Sequence, residues 1–214
     1  MNAKTECLTL QGLAGPIEAL FDAAQLSDGQ SQALGVAIVA HPHPLFAGTM
    51  NNKVVQTLAR ALAQSGWNTY RFNIRGVGQS KGEHDHGIGE AQDMLRVIEQ
   101  VAPTGKLALA GFSFGTFVTG QVVQTLHPAR EIHSLIYAGT AASRFAVPAI
   151  PADLHNRTLV VHGEVDETVP LAPVMDWARA QDLPLTVLPG CEHFFHGKQI
   201  LLKDLALRHL RACD

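Results

Sequence analysis

Several features that mark other classes of protein are scarce or absent in this sequence of 214 residues. Charged residues make up only 16% and apolar residues 46%, which excludes intrinsic disorder, because disordered chains combine low hydrophobicity with high charge. There is no run of lysine or arginine and the formal net charge is −3, so we expect no nucleic-acid partner. The longest apolar runs, at 36–40 and 107–111, fall far short of the roughly 20 residues that a transmembrane helix needs.

Cysteine is also scarce, with Cys7, Cys191 and Cys213 far apart along the chain. This odd number gives neither a disulfide framework nor a Cys-x-x-Cys metal pair. We therefore expect a reducing, cytoplasmic location. Lys4 and Glu6 interrupt the first residues, and no apolar stretch follows them, so we also expect no signal peptide.

The order of the hydrophobic patterns predicts the fold class. Strand patterns lie at residues 8–10, 17–21, 36–40, 67–74, 107–110, 134–137, 158–161 and 185–188, and helical patterns lie at 54–64, 89–101, 117–126, 174–180 and 198–212. Alternation of strands with helices is typical of an α/β fold, in which a mostly parallel sheet carries helices on both faces. We predict one domain over residues 1–214, with about seven or eight strands and an antiparallel start. Its functional site should lie beyond the carboxyl ends of the strands.

The strongest chemical signal is the sequence Gly-Phe-Ser-Phe-Gly at residues 111–115. It follows one strand pattern and precedes a helical pattern, which is the context of the Gly-x-Ser-x-Gly nucleophile elbow. The glycines have a steric purpose, because side chains two positions either side of Ser113 would collide with each other and with neighbouring strands. A simple glycine-rich turn is the competing interpretation, and the flanking elements favour the elbow.

A serine hydroxyl is a poor nucleophile without a base, and two later segments can supply one. Both segments follow strand patterns, so the fold should bring them to the same edge of the sheet as Ser113. The first offers three carboxylates that could orient a histidine, and the second offers two histidines: Glu164, Asp166 and Glu167 in residues 162–170, and His193 and His196 in residues 189–196.

The chain order of serine, acid and histidine resembles the α/β-hydrolase superfamily, and the resemblance covers essentially the whole chain. The sequence is most similar to small capless bacterial hydrolases that carry a His-Pro-His-Pro loop after the third strand, here residues 41–44. Further shared motifs are Arg-Gly-x-Gly-x-Ser at 75–80, His-Gly-x-x-Asp-x-x-Val-Pro at 162–170 and His-Phe-Phe at 193–195. The resemblance implies a catalytic triad of Ser113, Asp166 and His193.

An oxyanion hole needs two backbone N–H groups. One should be that of Phe114, the residue after the nucleophile. The resemblance implies that the second comes from the His-Pro-His-Pro loop, where Pro42 and Pro44 have no N–H to offer. His43 and Leu45 remain as candidates, and similarity to the His-Gly-x turn of related enzymes favours Leu45.

The remaining histidines could suggest a metal site. His41 and His43, like His84 and His86, are two residues apart, but neither pair is accompanied by the further ligands of a hydrolytic metal motif. We expect hydrogen-bonded or solvated histidines, a structural role for His162, and neither a metal nor an organic cofactor.

These features together predict a serine esterase that hydrolyses a small-molecule acyl substrate through an acyl-serine intermediate. Thioesterase, amidase or acyltransferase chemistry on the same triad, and a non-catalytic binding protein, are the alternatives, because the fold alone does not decide function. Only about 20 residues separate the sixth and seventh strand patterns, too few for a multi-helix cap, so the site should be open. Five aromatic residues near the triad favour an apolar pocket: Phe46, Phe112, Phe114, Phe194 and Phe195. The sequence predicts no oligomeric state.

Overall fold

A computed structural model describes residues 5–26 and 29–213. Lys4, on which the expectation of no signal peptide partly depends, lies outside the described residues. Within these described residues, eight strands form one sheet in the order β1-β2-β4-β3-β5-β6-β7-β8. The strands are β1 (Glu6–Gly12), β2 (Gly15–Asp22), β3 (Gly35–Ala40), β4 (Trp67–Phe72), β5 (Leu107–Phe112), β6 (Ile132–Ala138), β7 (Thr158–Gly163) and β8 (Thr186–Leu188). The helices are α1 (Lys53–Gln64), α2 (Ile88–Val101), α3 (Phe114–Leu126), α4 (Leu171–Arg179) and α5 (Gln199–Cys213). The predicted α/β fold class and strand number are confirmed.

The sheet begins with an antiparallel hairpin and continues in parallel. β1 pairs antiparallel with β2, and β2 pairs antiparallel with β4, whereas the pairs from β4 to β8 are all parallel. Helices α1 and α5 cover one face of the sheet, and α2 and α3 cover the other. The central strand β5 is therefore buried along its whole length, as its unbroken apolar sequence predicts.

Among the element boundaries that differ from the sequence patterns, two have local reasons. β4 ends at Phe72, two residues before the pattern does, because the N–H of Ile74 donates to His41 Nε2 at 2.9 Å. Helix α4 begins at Leu171, three residues before the pattern does. Pro173 is compatible with this start, because the first turn of a helix needs no N–H donor there.

Helix α5 presents a narrower apolar face than the pattern predicts. Leu202, Ala206 and Leu210 are buried at intervals of four residues, whereas Leu201 is exposed. Leu201, although it belongs to the helical pattern at 198–212, is therefore not part of the buried face.

The connection between β6 and β7 is short and contains no cap. Its structure consists of a turn at 142–144 and a 3₁₀ helix over Ala152–Arg157. The expectation of a fold without a cap domain is confirmed. None of the described helices combines the length and the apolar character needed to cross a bilayer.

Candidate active site

Ser113 occupies a sharp turn between β5 and α3, with φ 54° and ψ −121°. A positive φ is strained for a residue with a side chain. The glycines around it are sterically required, since a Cβ on Gly111 would lie 2.5 Å from the carbonyl oxygen of Gly115. A Cβ on Gly115 would lie 2.3 Å from the carbonyl oxygen of Ala40 in β3. The local sequence therefore permits a backbone that holds the serine at the carboxyl end of the sheet.

Two further side chains reach Ser113 from the loops that follow β7 and β8. His193 Nε2 lies 3.0 Å from Ser113 Oγ, and His193 Nδ1 lies 2.7 Å from Asp166 Oδ2. The second oxygen of Asp166 accepts the N–H of Val169 at 2.7 Å. All three side chains of this serine–histidine–acid chain are buried. With Nδ1 protonated, His193 donates to the carboxylate and can accept the proton of the Ser113 hydroxyl.

The alternative acids and base lie elsewhere. Glu164 is exposed and accepts the N–H of Gly190 at 2.8 Å. Glu167 is also exposed. His196 pairs with Glu192 at 2.9 Å at the surface. The structure brings none of these three candidates into the hydrogen-bonded chain with Ser113.

His162 contacts the acid, which the sequence analysis did not foresee. It is fully buried, with Nε2 2.8 Å from the carbonyl oxygen of Val169 and 3.4 Å from Asp166 Oδ2. Burial lowers the pKa of His162, so the ring is neutral and its single N–H can be directed at this pair of acceptors. Val169 therefore connects both residues, because its N–H binds Asp166 and its carbonyl oxygen binds His162.

Two glycines let the loop after β8 approach the sheet. A Cβ on Gly139, directly after β6, would lie 3.2 Å from His193 Cε1. A Cβ on Gly163, at the end of β7, would lie 2.4 Å from the carbonyl oxygen of Cys191. These close approaches place the loop that carries His193 against the carboxyl ends of β6 and β7.

The His-Pro-His-Pro loop is anchored by its first histidine. His41 is fully buried, its Nδ1–H donates to the carbonyl oxygen of Pro42 at 2.6 Å, and its Nε2 accepts the N–H of Ile74. Burial lowers the pKa of His41 to about 4, so the ring stays neutral. His41 therefore fastens the loop after β3 to the segment that follows β4.

The second histidine of that loop belongs to an aromatic group beside the elbow. The ring centroid of His43 lies 4.8 Å from that of Phe114 and 4.7 Å from that of His84. His84 in turn contacts the ring of His86 and places Nδ1 2.7 Å from the buried carboxylate of Glu90. Among the described residues, no three histidine, cysteine or acidic side chains converge as metal ligands would.

A cavity of about 650 Å³ opens beside Ser113. Its walls are mostly apolar, and of the predicted aromatic residues Phe46, Phe114 and Phe194 line it, whereas Phe112 and Phe195 are fully buried in the core. The remaining lining residues are Pro42, His43, Ala47, Gly48, Asn52, Ala141, Arg144, Phe145, Thr168, Val169 and His193. The sequence analysis did not foresee Arg144 at this site, since no motif contains it.

Comparison with known proteins identifies the family. A family model for the alpha/beta hydrolase fold matches residues 45–156, just over half of the chain. A protein of Rickettsia prowazekii (strain Madrid E), named only as uncharacterized protein RP471, is 44% identical over 185 residues, covering 76% of this chain and 73% of its own. The chain belongs to the α/β-hydrolase-fold family.

Solved structures place it near serine hydrolases of this fold. The crystal structure of XC6422 from Xanthomonas campestris, described as an α/β serine hydrolase without a lid, is 35% identical, with a TM-score of 0.86. The match covers 99% of this chain and 95% of that one. An α/β serine hydrolase homologue from Coxiella burnetii is 36% identical, with a TM-score of 0.81, and the match covers 96% and 97% of the two chains. These relatives support a hydrolase for the present chain.

Proposed function

We propose that this protein is a serine hydrolase that cleaves acyl esters through a covalent acyl-serine intermediate. The observation that carries the proposal is the hydrogen-bonded chain from Ser113 Oγ through His193 to Asp166. Serine, histidine and acid in this geometry activate a hydroxyl for attack on a carbonyl carbon. The description of two relatives as serine hydrolases supports the same chemistry.

In the proposed mechanism, Ser113 Oγ attacks the carbonyl carbon while its proton moves to His193 Nε2. Asp166 holds the imidazole in the tautomer that can accept this proton and stabilises the imidazolium. When the tetrahedral intermediate collapses, His193 gives the proton to the leaving alkoxide, and the acyl group stays on Ser113. Water activated by His193 then attacks the acyl-serine and releases the acid.

The negative oxygen of the tetrahedral intermediate needs two N–H donors. Phe114 is the first residue of α3, where the N–H has no partner within the helix, and the positive end of the helix dipole adds to it. For the second donor we favour His43, because it lines the same cavity as Ser113. The N–H of Leu45, the sequence-based preference, donates to His43 Nδ1 at 3.2 Å, and its side chain lines a separate depression.

The cavity supports an ester with an apolar acyl group. Phe46, Phe145 and Phe194 present carbon-rich surface around the entrance to Ser113, and burial of apolar substrate surface against them contributes roughly 25 cal/mol per Å². The absence of a cap leaves room for a substrate that extends beyond the cavity. The triad does not distinguish an ester from a thioester, so both belong in the substrate panel.

The direct test is intact-protein mass spectrometry after treatment with a fluorophosphonate. We expect one adduct per chain on the native protein and none on Ser113→Ala. A Ser80→Ala variant serves as a matched control and should still be labelled, because Ser80 is a buried residue that bonds the backbone of Asn73 and does not line the cavity at Ser113. Absence of label on folded native protein would exclude the proposed hydrolase.

A further inference from the structure

Arg144 is the cavity residue with a permanent charge that the proposed mechanism leaves unused. It lies in the turn after β6, where its own N–H and that of Phe145 donate to the carbonyl oxygen of Ala141 at 2.9 and 3.0 Å. The N–H of Ala141 donates to Thr116 Oγ1, whose hydroxyl donates to the carbonyl oxygen of Ser113 at 2.7 Å. The turn that carries Arg144 is thereby tied through one threonine to the backbone of the nucleophile.

The guanidinium is oriented by one hydrogen bond and keeps most of its donors. Arg144 Nε donates to the carbonyl oxygen of Thr168 at 3.1 Å, which leaves the four N–H groups on the two terminal nitrogens. Within the described residues, no carboxylate lies within ion-pair distance of Arg144. By contrast, five other arginines each have an acidic partner: Arg71, Arg75, Arg96, Arg157 and Arg179.

The surroundings of Arg144 define the chemistry that it suits. Among the described residues that line the cavity, it is the only one with a permanent charge, and aromatic residues including Phe145 line the same cavity. A guanidinium binds a carboxylate or phosphate through two parallel hydrogen bonds. The same surface therefore offers an apolar wall and one anion-binding group.

We propose that Arg144 determines specificity by binding an anionic group of the substrate, so that the preferred ester carries a carboxylate or phosphate in its acyl group or its leaving group. This inference rests on the proposed hydrolase function. The substrate body occupies the aromatic cavity at Ser113, and the anion pairs with the terminal nitrogens of Arg144 at the mouth.

Two esters of equal acyl length test the proposal. The neutral probe is 4-nitrophenyl hexanoate and the anionic probe is mono-4-nitrophenyl adipate, which differ only by the terminal carboxylate of the six-carbon acyl chain. Arg144→Gln should lower kcat/KM for the adipate ester about tenfold, because the charge and the two parallel hydrogen bonds to the carboxylate are lost. The value for the hexanoate ester should change less than about twofold, and Arg144→Lys should recover part of the loss.

A matched control and a second pair of substrates locate the anion. Arg60→Gln removes another exposed arginine, on α1, and should leave the ratio of the two kcat/KM values unchanged.

Hexanoyl-coenzyme A, which carries phosphates on its leaving group, is compared with the uncharged thioester S-hexanoyl-N-acetylcysteamine. If Arg144→Gln lowers kcat/KM selectively for hexanoyl-coenzyme A alone, the anion belongs to the leaving group. If it lowers kcat/KM selectively for the adipate ester, the anion belongs to the acyl group.

Equal effects of Arg144→Gln on charged and neutral substrates in both pairs, or no effect in either, would overturn the proposal while leaving the hydrolase intact. If the protein hydrolyses no ester, the inference is tested by binding instead. On a Ser113→Ala background, Arg144→Gln should weaken the affinity for mono-4-nitrophenyl adipate, measured by calorimetry, about tenfold. Unchanged affinity would refute the role of Arg144 independently of any catalytic activity.

Discussion

At the scale of single residues, Ser113 combines its proposed reactivity with backbone strain. A residue with a side chain at φ 54° and ψ −121° costs on the order of 1–3 kcal/mol relative to an unstrained position. Neighbouring contacts hold it there, including its N–H bond to the carbonyl oxygen of Ala138 at 3.0 Å. At this position the proposed catalytic function and the stability of the fold therefore oppose each other.

Replacement of Ser113 by glycine should relieve this strain. Glycine adopts positive φ freely, although its greater flexibility in the unfolded state lowers the free energy of unfolding by roughly 0.5–1 kcal/mol. We expect Ser113→Gly to raise the free energy of unfolding by about 1 kcal/mol while abolishing phosphonate labelling. Urea denaturation measures the first effect, and Ser113→Ala, which keeps the Cβ and the strain, is the control. Equal stability of the two variants would contradict the strain argument.

The rate of ester hydrolysis should be sensitive even to an isosteric substitution of Asp166. In Asp166→Asn the amide can turn its NH₂ group to His193 Nδ1 and stabilise the tautomer that cannot accept the Ser113 proton. A loss of about 10³–10⁴-fold in kcat is expected, measured with the neutral ester. Glu164→Gln and Glu167→Gln are the matched controls and should remain within about twofold of the native rate. A comparable loss in either control would move the role of the acid to that residue.

At the scale of elements, the elbow depends on the close packing of α3 against β3. Gly115→Ala places a methyl group 2.3 Å from the carbonyl oxygen of Ala40, and backbone there cannot yield without moving the sheet or the helix. We expect a loss of stability of about 1–3 kcal/mol together with lower activity, measured by thermal unfolding and ester hydrolysis.

The matched control lies in the same helix at Gly120. Its added Cβ would meet the ring of Pro148 at 3.0 Å, which is tight but involves a side chain, and alanine gains about 1 kcal/mol of helix propensity over glycine. Gly120→Ala should therefore change stability less than Gly115→Ala does. The reverse order would show that the contact with β3 does not determine the conformation of the elbow.

The elements themselves were predictable where pattern and backbone agree. The buried strands and most helices follow from apolar runs and helical spacing. The start of α3 at Phe114 could not be predicted in this way. The sequence signal of a nucleophile elbow lies in three residues, and the hydrophobic pattern of the helix begins later. The end of β4 could not be predicted from the pattern either, because it depends on a hydrogen bond from Ile74 to His41, two residues that lie 33 positions apart in the sequence.

At the scale of the whole molecule, buried histidines make stability depend on pH. His41 and His209 are both neutral in the native state, because burial lowers the pKa of each to about 4. In the unfolded chain both titrate near 6.5. Below that pH the unfolded state binds protons that the native state does not, so stability is fully present above about pH 6.5 and is lost as the pH falls towards 4.

The expected loss between pH 7.5 and pH 5.5 is about 1.4 kcal/mol for each of these histidines. Urea denaturation at the two pH values measures it. His41→Gln keeps an acceptor for the N–H of Ile74 but cannot be protonated, so it should show a shallower pH dependence, together with lower stability at pH 7.5. An unchanged pH dependence would mean that His41 does not contribute to it.

The candidate site shows where sequence reasoning ends. Ser113, Asp166 and His193 are predictable because each belongs to a motif that follows a strand, and the parallel sheet brings strand ends together. The motif at 162–170 contains both His162 and Asp166, but it does not show how the loop after β7 folds to bring them into contact. The place of Arg144 at the cavity depends on how the loop after β6 packs against the loop after β7. The roles of these residues stay predictions until the variants are measured.

The fold without a cap has one further consequence for the proposed reaction. With no cap domain to close over the cavity, an acyl group on Ser113 would remain in contact with bulk solvent throughout its lifetime. Small alcohols added to the medium would then compete with water for the same carbonyl carbon, and the ratio of new ester to acid would rise with the alcohol concentration. Because the cavity is open, the composition of the medium as well as the protein would determine which products form.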